Sequence, residues 1–280
     1  MLKSVILIPH VARTATRQAL ENATRILDEL GVSYSVDPTQ EQSFSPAPEL
    51  VISLGGDGTF LAAAEKAREF DVPVIGFNTG HMGFLTEVGV TDFSQAITQL
   101  ATGEFTTQAR YCVELSVMRK DGQVSHHWAL NEAAILRTSL QRPGNFTLGV
   151  NQHPVSQYAA DGMLISTPTG STAYAFSAGG PIMWPDVPAL LVVPLAAHGL
   201  FTRPLVLGPE SEVEVGLDPE QRTGIEMLLD SRRSVTLNAS DQVSAKLACQ
   251  PLKVATLSEV DFSSRLVSKF QLPVEGWRKN

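Results

Sequence analysis

Leu50-Val51-Ile52-Ser53-Leu54-Gly55-Gly56-Asp57-Gly58-Thr59-Phe60 joins a short apolar run to a glycine-rich turn and then to an alanine-rich segment ending at Phe70. An apolar run of that length without strict alternation predicts a strand covered on both faces. A helix follows the turn directly, so the stretch reads as one strand–turn–helix unit of a parallel sheet. In open parallel sheets ligands bind outside the carboxyl ends of the strands. The first amides of the helix and its partial positive charge suit an anion there. Glycines let the backbone come close to a phosphate without a Cβ in the way. Asp57 sets one carboxylate among them. Beside a phosphate that charge is unfavourable unless it orients a hydroxyl nucleophile or helps to hold a metal ion. The plainer alternative is a tight turn in which Asp57 serves as a helix cap.

The flanking sequence repeats this pattern. Val5 to Ile8 is another buried apolar run, and Ala15, Ala19, Ala23, Ile26, Leu27 and Leu30 recur at helical spacing before Gly31. Val32 to Val36 and Val72 to Phe77 read as strands, and Asp37 to Pro48 as a loop. Thr91 is placed to cap a helix whose apolar face is Phe93, Ala96, Ile97 and Leu100, stopped at Gly103. Strands alternating with helices predict right-handed crossovers in a parallel sheet. Beyond Glu104 the texture changes to short alternating segments separated by turns, among them Val113 to Met118, Val124 to Leu130, Thr147 to Val150, Glu212 to Leu217, Ile225 to Leu229 and Val254 to Leu257. Asp121-Gly122 marks a hairpin. Ser171 to Ala178 interrupts these strands as a short helix, and Phe262, Leu266 and Phe270 mark a final one. The expected organisation is an α/β domain over residues 1–103, a β-rich, sandwich-like domain over 104–260, and a tail over 261–280 packing back on the first.

Composition excludes several classes. With 280 residues, 43 % hydrophobic and 18 % charged, the chain is ordinarily globular. A net charge of −8 argues against a dedicated binder of nucleic acid or anionic membrane. Val187 to Ala197, the longest apolar neighbourhood, is broken by Pro188 and Pro194, and the opening run lacks the features of a signal sequence. A cytoplasmic location is the expectation. Cys112 and Cys249 have no metal-ligand spacing and read as small buried hydrophobes.

Three further stretches carry polar chemistry. Asn78-Thr79-Gly80-His81-Met82-Gly83 follows a strand at its carboxyl end and reads as a second wall of the crevice beside Asp57. Asn131-Glu132, at the end of another strand, offers donors and acceptors that suit a ribose diol, although such a pair is commonly a plain turn. Asp161-Gly162 leads into Ser166-Thr167-Pro168-Thr169-Gly170-Ser171-Thr172-Ala173-Tyr174 and then Ser177-Ala178-Gly179-Gly180-Pro181. Five hydroxyls ahead of a helix start exceed what one cap needs and suit phosphate or sugar oxygens. Tyr174 adds a face on which a base can stack.

Together these motifs, with Arg203-Pro204-Leu205 after His198, resemble the NAD kinases of the bacterial type, over nearly the whole chain. Diacylglycerol kinases, sphingosine kinases and phosphofructokinases carry similar Gly-Gly-Asp-Gly turns; the Thr-Pro-Thr-Gly-Ser-Thr-Ala-Tyr block is the specific part. The resemblance implies a Rossmann-like N-terminal domain and a β-rich C-terminal domain with the active site between them. It implies phosphoryl transfer from ATP, in some members polyphosphate, to the 2′-hydroxyl of the adenosine ribose of NAD, giving NADP, with a divalent cation such as Mg2+. It also implies a homodimer or homotetramer. By residue, it makes Asp57 the catalytic carboxylate, with Gly55, Gly56, Gly58, Thr59 and Asn78 at the nucleotide. Asn131 and Glu132 fall at the adenosine ribose. Asp161, Thr172, Ala173, Tyr174, Ala175, Phe176 and Ser177 line the dinucleotide. No protein side chain is assigned to metal. Asp230-Ser231-Arg232 departs from the pattern, since many relatives have Asp-Gly there. The rival readings are a lipid or sugar kinase and a non-catalytic dinucleotide-binding regulator.

Overall fold

The computed structural model describes residues 1–10, 14–37, 45–78, 83–86, 93–257 and 261–274. In chain order it opens with β1 (Ser4–Pro9), α1 (Thr14–Glu29), β2 (Ser33–Val36), β3 (Leu50–Leu54), α2 (Asp57–Phe70), β4 (Val74–Phe77), α3 (Phe93–Thr102) and β5 (Thr106–Arg110). Then come β6 (Val113–Met118), β7 (Val124–Ala129), β8 (Glu132–Arg137), β9 (Gly144–Val150), β10 (His153–Ala160) and β11 (Gly162–Ser166). A 3-10 turn (Thr169–Thr172), α4 (Tyr174–Ser177), β12 (Leu190–Leu195), β13 (Leu205–Leu207), β14 (Val213–Leu217) and β15 (Ile225–Leu229) follow. The order ends with β16 (Arg233–Leu237), β17 (Gln242–Leu247), β18 (Leu252–Thr256) and α5 (Phe262–Phe270). The chain divides into two compact units, Met1–Ala109 with Leu252–Asn280, and Arg110–Pro251.

The first unit is built on one sheet in the order β2-β1-β3-β4-β18-β5. The pairings of β1 with β2 and β3, of β3 with β4, and of β4 with β18 are parallel. All five residues of β3 are buried, as expected for a strand covered on both sides. On one face Val5, Leu7, Leu50, Ile52, Leu54 and Ile75 meet Ala23, Ile26 and Leu27 of α1 and Ala96, Ile97 and Leu100 of α3. α2 packs against β1, β3, β4 and β18 through Phe60, Ala63, Ala64 and Ala67. Strand order reverses at β1, which lies between β2 and β3. The carboxyl ends of β1 and β3 therefore flank the crevice where such sheets bind ligands. Gly31 and Gly103 follow α1 and α3 with φ of 70° and 83°, the helix-ending role read from sequence. Thr91 lies outside the described residues.

The second unit is a pair of six-stranded sheets, β10-β9-β14-β17-β6-β7 and β13-β12-β11-β8-β15-β16, with every pairing between their neighbours antiparallel. β6, β14 and β15 alternate buried and half-buried residues, so one face of each points into the layer between the sheets. That layer includes Val113, Leu115, Phe146, Leu148, Val213, Val215, Ile135, Met163, Ile165, Val192, Ile225 and Met227. β11 and β12 are buried throughout, because a second cluster covers their other face: Ala134, Leu164, Leu191 and Val193 against Ala175, Met183 and Ala189. The block around Tyr174 is thus a covering layer of this sheet.

The strand expected at Val254–Leu257 was grouped with the β-rich region, but β18 joins the parallel sheet beside β4. Its apolar residues suit either sheet, and only the long-range pairing decides. Cys112 is buried as expected, whereas Cys249 is exposed, and neither is in a disulfide. Among the described residues no helix is long and apolar enough to cross a membrane.

Candidate functional site

In the first unit, the chain leaves β3 at Gly55, whose amide donates to Phe77 O at 2.9 Å. A Cβ on Gly55 would overlap the Thr59 side chain and approach the Cβ of His10 to 3.1 Å, so packing requires this glycine. The other two glycines have a different basis. Gly56 is extended, with φ −91°, and Gly58 is helical; a Cβ at either would meet open space. Neither turn geometry nor packing requires glycine there, and the space they leave open lies at the first amides of α2, which lack intrahelical acceptors.

Asp57 is the first residue of α2, and its carboxylate is held from the segment that follows β4. Oδ2 accepts the Phe84 amide at 3.1 Å and Oδ1 accepts the Leu85 amide at 3.2 Å. A Cβ on Gly83 would overlap Oδ1. The same segment is held by α5. The Arg265 guanidinium donates to Thr86 O at 2.7 Å and Phe84 O at 3.5 Å, and the Phe84 ring packs on Phe262 and Phe270 at centroid distances of 6.1 and 5.6 Å. Asp57 is therefore a fixed acceptor at a helix N-terminus, and its bonds go to the segment after β4 instead of capping its own helix. Asn78 is half-buried immediately after β4. Thr79, Gly80, His81 and Met82 lie outside the described residues.

In the second unit, the peptide carrying Asn131 and Glu132 is held on both sides. The amides of Leu130, Asn131 and Glu132 all donate to the Asp230 carboxylate, at 2.9, 2.6 and 3.3 Å. Thr167 Oγ1 donates to Leu130 O at 2.5 Å, and Asn131 O accepts from the Thr167 amide at 2.9 Å and from Ser166 Oγ at 3.1 Å. Gly170 lies against Asn131 O so closely that a Cβ would overlap it. Ser171 Oγ donates to Pro168 O at 2.7 Å and accepts the Met183 amide at 2.8 Å. Most of the hydroxyl block thus serves the fold. Ser166, Thr167 and Ser171 are fully buried and bonded to backbone, and Thr172 Oγ1 donates to Thr169 O at 3.3 Å. The sequence reading had offered these hydroxyls to phosphate or sugar oxygens.

Three buried atoms nearby have no hydrogen-bond partner in the protein: Asn131 Oδ1, Glu132 Oε2 and Thr169 Oγ1. Leaving such an atom unsatisfied costs about 1–3 kcal/mol, so Asn131 and Glu132, adjacent in the chain, are candidates for a polar ligand. The Tyr174 amide donates to the Glu132 carboxyl. Burial, and then the neighbouring Asp230 charge, push Glu132 up to about 8. Burial also raises Asp230, opposed by its amide bonds and by Arg233. Arg233 lies 3.6 Å from Asp230 Oδ2, donates to Trp128 O at 2.8 Å and covers the Trp128 ring at 4.7 Å. Tyr174 and Phe176 are exposed large side chains, whereas Ala175 faces the core cluster behind β11 and β12.

Asp161 does not join this group. Ser166 pairs with Glu132 at one end of β11, and Gly162 pairs with Leu136 at the other. That spacing leaves Asp161 about 15 Å from Glu132 along the strand. Its Oδ1 is bound by Arg137, with Nε at 2.8 Å and Nη2 at 2.7 Å. Conversely, sequence singles out Asp230 only as part of the departure Asp230-Ser231-Arg232 and not as a site residue. Asp230 and Ser231 form the turn between β15 and β16, and both take positive φ, 53° and 54°. Nothing local shows that the carboxylate of such a turn reaches a strand one hundred residues away.

Residues 10–105 match the model of the ATP-NAD kinase N-terminal domain, and residues 130–257 that of the ATP-NAD kinase C-terminal domain. An NAD kinase of Nocardia farcinica is 40 % identical, covering 99 % of this chain and 94 % of its own length. One of Corynebacterium diphtheriae is 38 % identical over 99 % of this chain and 93 % of its own. Among solved structures, a yeast NADH kinase complexed with NADH superimposes with a TM-score of 0.86 at 22 % identity, covering all of this chain and 90 % of that one. An NAD kinase from Archaeoglobus fulgidus in complex with ATP gives 0.74 at 24 %, over 97 % of this chain and 99 % of that one. At those identities the two structures establish the fold, and the sequence matches establish the family: this chain belongs to the ATP-NAD kinases.

Proposed function

We propose that the chain transfers the γ-phosphoryl group of ATP to the 2′-hydroxyl of the adenosine ribose of NAD, releasing ADP and NADP. The observation that carries this reading is the Asp57 carboxylate, fixed through both oxygens at the N-terminus of α2. The hydroxyl oxygen forms a bond to the γ-phosphorus, the bond to the bridging oxygen of ADP breaks, and Asp57 orients the hydroxyl and accepts its proton. Little nucleophilic activation is needed in a loose transition state, so a well-placed weak base suffices. The first amides of α2 and the open space at Gly56 and Gly58 suit a phosphate. Gly55 and Thr59 shape that turn, and Asn78 stands at the end of the adjacent strand.

Asn131 and Glu132 take the hydroxyls of the adenosine ribose, as their unpartnered oxygens support. Tyr174 stacks on a base, and Thr172, Ala173, Phe176 and Ser177 line the dinucleotide alongside it, with Ala175 anchoring that layer. Asp161 is assigned to the dinucleotide by resemblance. Among the described residues no group of three His, Cys, Asp or Glu is placed to hold a metal. Asp57 presents one carboxylate at most, which fits a cation carried largely by phosphate oxygens, as Mg2+ usually is. Bound there, Mg2+ would neutralise charge on the transferring group. Family resemblance supports a cytoplasmic homodimer or homotetramer, with an N-terminal α/β domain and a β-rich dinucleotide-binding domain. The test is an assay of the purified chain with NAD, ATP and Mg2+, reading NADP. Absence of NADP formation with either ATP or polyphosphate as donor would overturn the reading.

A further inference from the structure

The peptide from Leu130 to Glu132 has three consecutive amides pointing at one carboxylate. Leu130 donates to Asp230 Oδ2 and Asn131 and Glu132 to Oδ1. Asp230 is 4 % exposed and returns its own amide to Glu132 O at 3.0 Å. The carbonyl side of the same peptide is held by Ser166 and Thr167. Its amide side is held from the β15–β16 turn.

The turn alone does not explain this choice of residue. A two-residue hairpin turn with both φ positive is served by Asn-Gly or Asp-Gly, and an exposed side chain would do. Here a carboxylate is buried beside a second one, Glu132: burial disfavours the charge of each, and the Asp230 charge further raises Glu132. Arg233 offsets part of that at 3.6 Å while it is itself fixed on Trp128. What the arrangement holds in place is the backbone that carries Asn131 and Glu132, whose Oδ1 and Oε2 have no partner in the protein.

We propose that Asp230, backed by Arg233, is a positioning residue for dinucleotide binding: it locks the Leu130–Glu132 peptide so that Asn131 and Glu132 present their free oxygens to the ribose. The inference rests on the reading of Asn131 and Glu132 as ribose ligands. Asp230 reaches the substrate only through them.

The test compares Glu132→Ala, Asp230→Asn and the unmodified enzyme in kcat and in KM for NAD and for ATP, with a melting curve for each. Asn keeps the size of Asp but presents one acceptor oxygen where Asp has two, so at least one of the three amides loses its partner. Asp230→Asn should raise KM for NAD about tenfold or more, with KM for ATP within about twofold. A merely structural role would lower the active fraction, reducing kcat with both KM values unchanged, and that result overturns the inference. If Glu132→Ala raises KM for NAD while folded Asp230→Asn does not, the inference alone is overturned. If Glu132→Ala leaves it unchanged, the reading of the ribose pair fails and the inference falls with it. Should Asp230→Asn not fold, Arg233→Met decides: a selective rise in KM for NAD supports the proposal, and its absence overturns it.

Discussion

Gly83 lies so close to Oδ1 of Asp57 that no side chain fits between them. The residues after it, Phe84 and Leu85, supply the two amides that hold the carboxylate. Gly83 is therefore tied to the orientation of Asp57. Gly83→Ala must move either the 83–86 segment or the Asp57 side chain. Misplacing a reacting group by an ångström costs about a hundredfold, so kcat should fall by one to two decades. KM for NAD should change little. Unchanged kcat in a folded Gly83→Ala protein would show that this contact does not set the position of Asp57.

Asp57→Asn tests the carboxylate itself. Asn preserves the size of the group and one carbonyl acceptor, so α2 and the turn before it should remain. It cannot take the hydroxyl proton. General base assistance is worth about 10²–10⁴-fold, and the loss of turnover should lie in or above that range with NAD affinity retained. Calorimetry on NAD, a melting curve and an NADP assay give the three readings. Near-normal turnover would leave Asp57 a structural residue.

Tyr174 is 40 % exposed at the start of α4, whereas its neighbour Ala175 is buried. Tyr174→Ala should therefore leave the covering layer intact and remove only a stacking surface. Loss of one stacked base costs about 1–3 kcal/mol in nucleic-acid systems, so KM for NAD should rise by one to two decades. Equal increases for NAD and ATP would count against a stacking role.

The parallel sheet and the glycine turn at the carboxyl end of β3 were legible because their signals are local. The buried run Leu50–Leu54, the glycine turn and the alanine-rich helix adjoin in sequence, and a strand–turn–helix unit has few ways to fold. In the β-rich unit the signal was weaker. β8, β11 and β12 are buried on both faces and show little alternation, so they do not stand out from the turns around them. The hydroxyl block was legible as unusual but not in its division of labour. Ser166, Thr167 and Ser171 bond to backbone at Asn131, Leu130 and Met183, which only the folded sheet brings near. Asp230 and Gly83 show the same limit: each acts on a residue far away in sequence.

Ser231 follows Asp230 in the same turn with φ 54° and is exposed. A residue with a Cβ in the left-handed region costs roughly 1–2 kcal/mol, part of which glycine returns through greater freedom in the unfolded chain. Ser231→Gly should therefore stabilise the β-rich unit by about 0.5–1 kcal/mol and leave KM for NAD unchanged. A lower melting temperature would mean that the serine hydroxyl makes a contribution the backbone conformation does not show.

Burial of Glu132 ties stability to pH. Its carboxyl is held up at about 8, first by burial and then by Asp230, whereas an unfolded glutamate titrates near its ordinary value of about 4.3. Between those limits the folded protein keeps a proton that the unfolded chain has released. The contribution of this group is thus fully present below about pH 4 and is lost as pH rises through about 8. Glu132→Gln keeps the shape of the protonated acid and removes the titration. The variant should match the parent near pH 5 and exceed it increasingly towards pH 8.5, by on the order of 1–3 kcal/mol. Each kcal/mol corresponds to roughly 2–4 °C in melting temperature for a domain of this size. Melting curves of both proteins at pH 5, 7 and 8.5 decide the matter: a stability difference that stays constant across that range would mean that Glu132 does not hold its proton in the folded state.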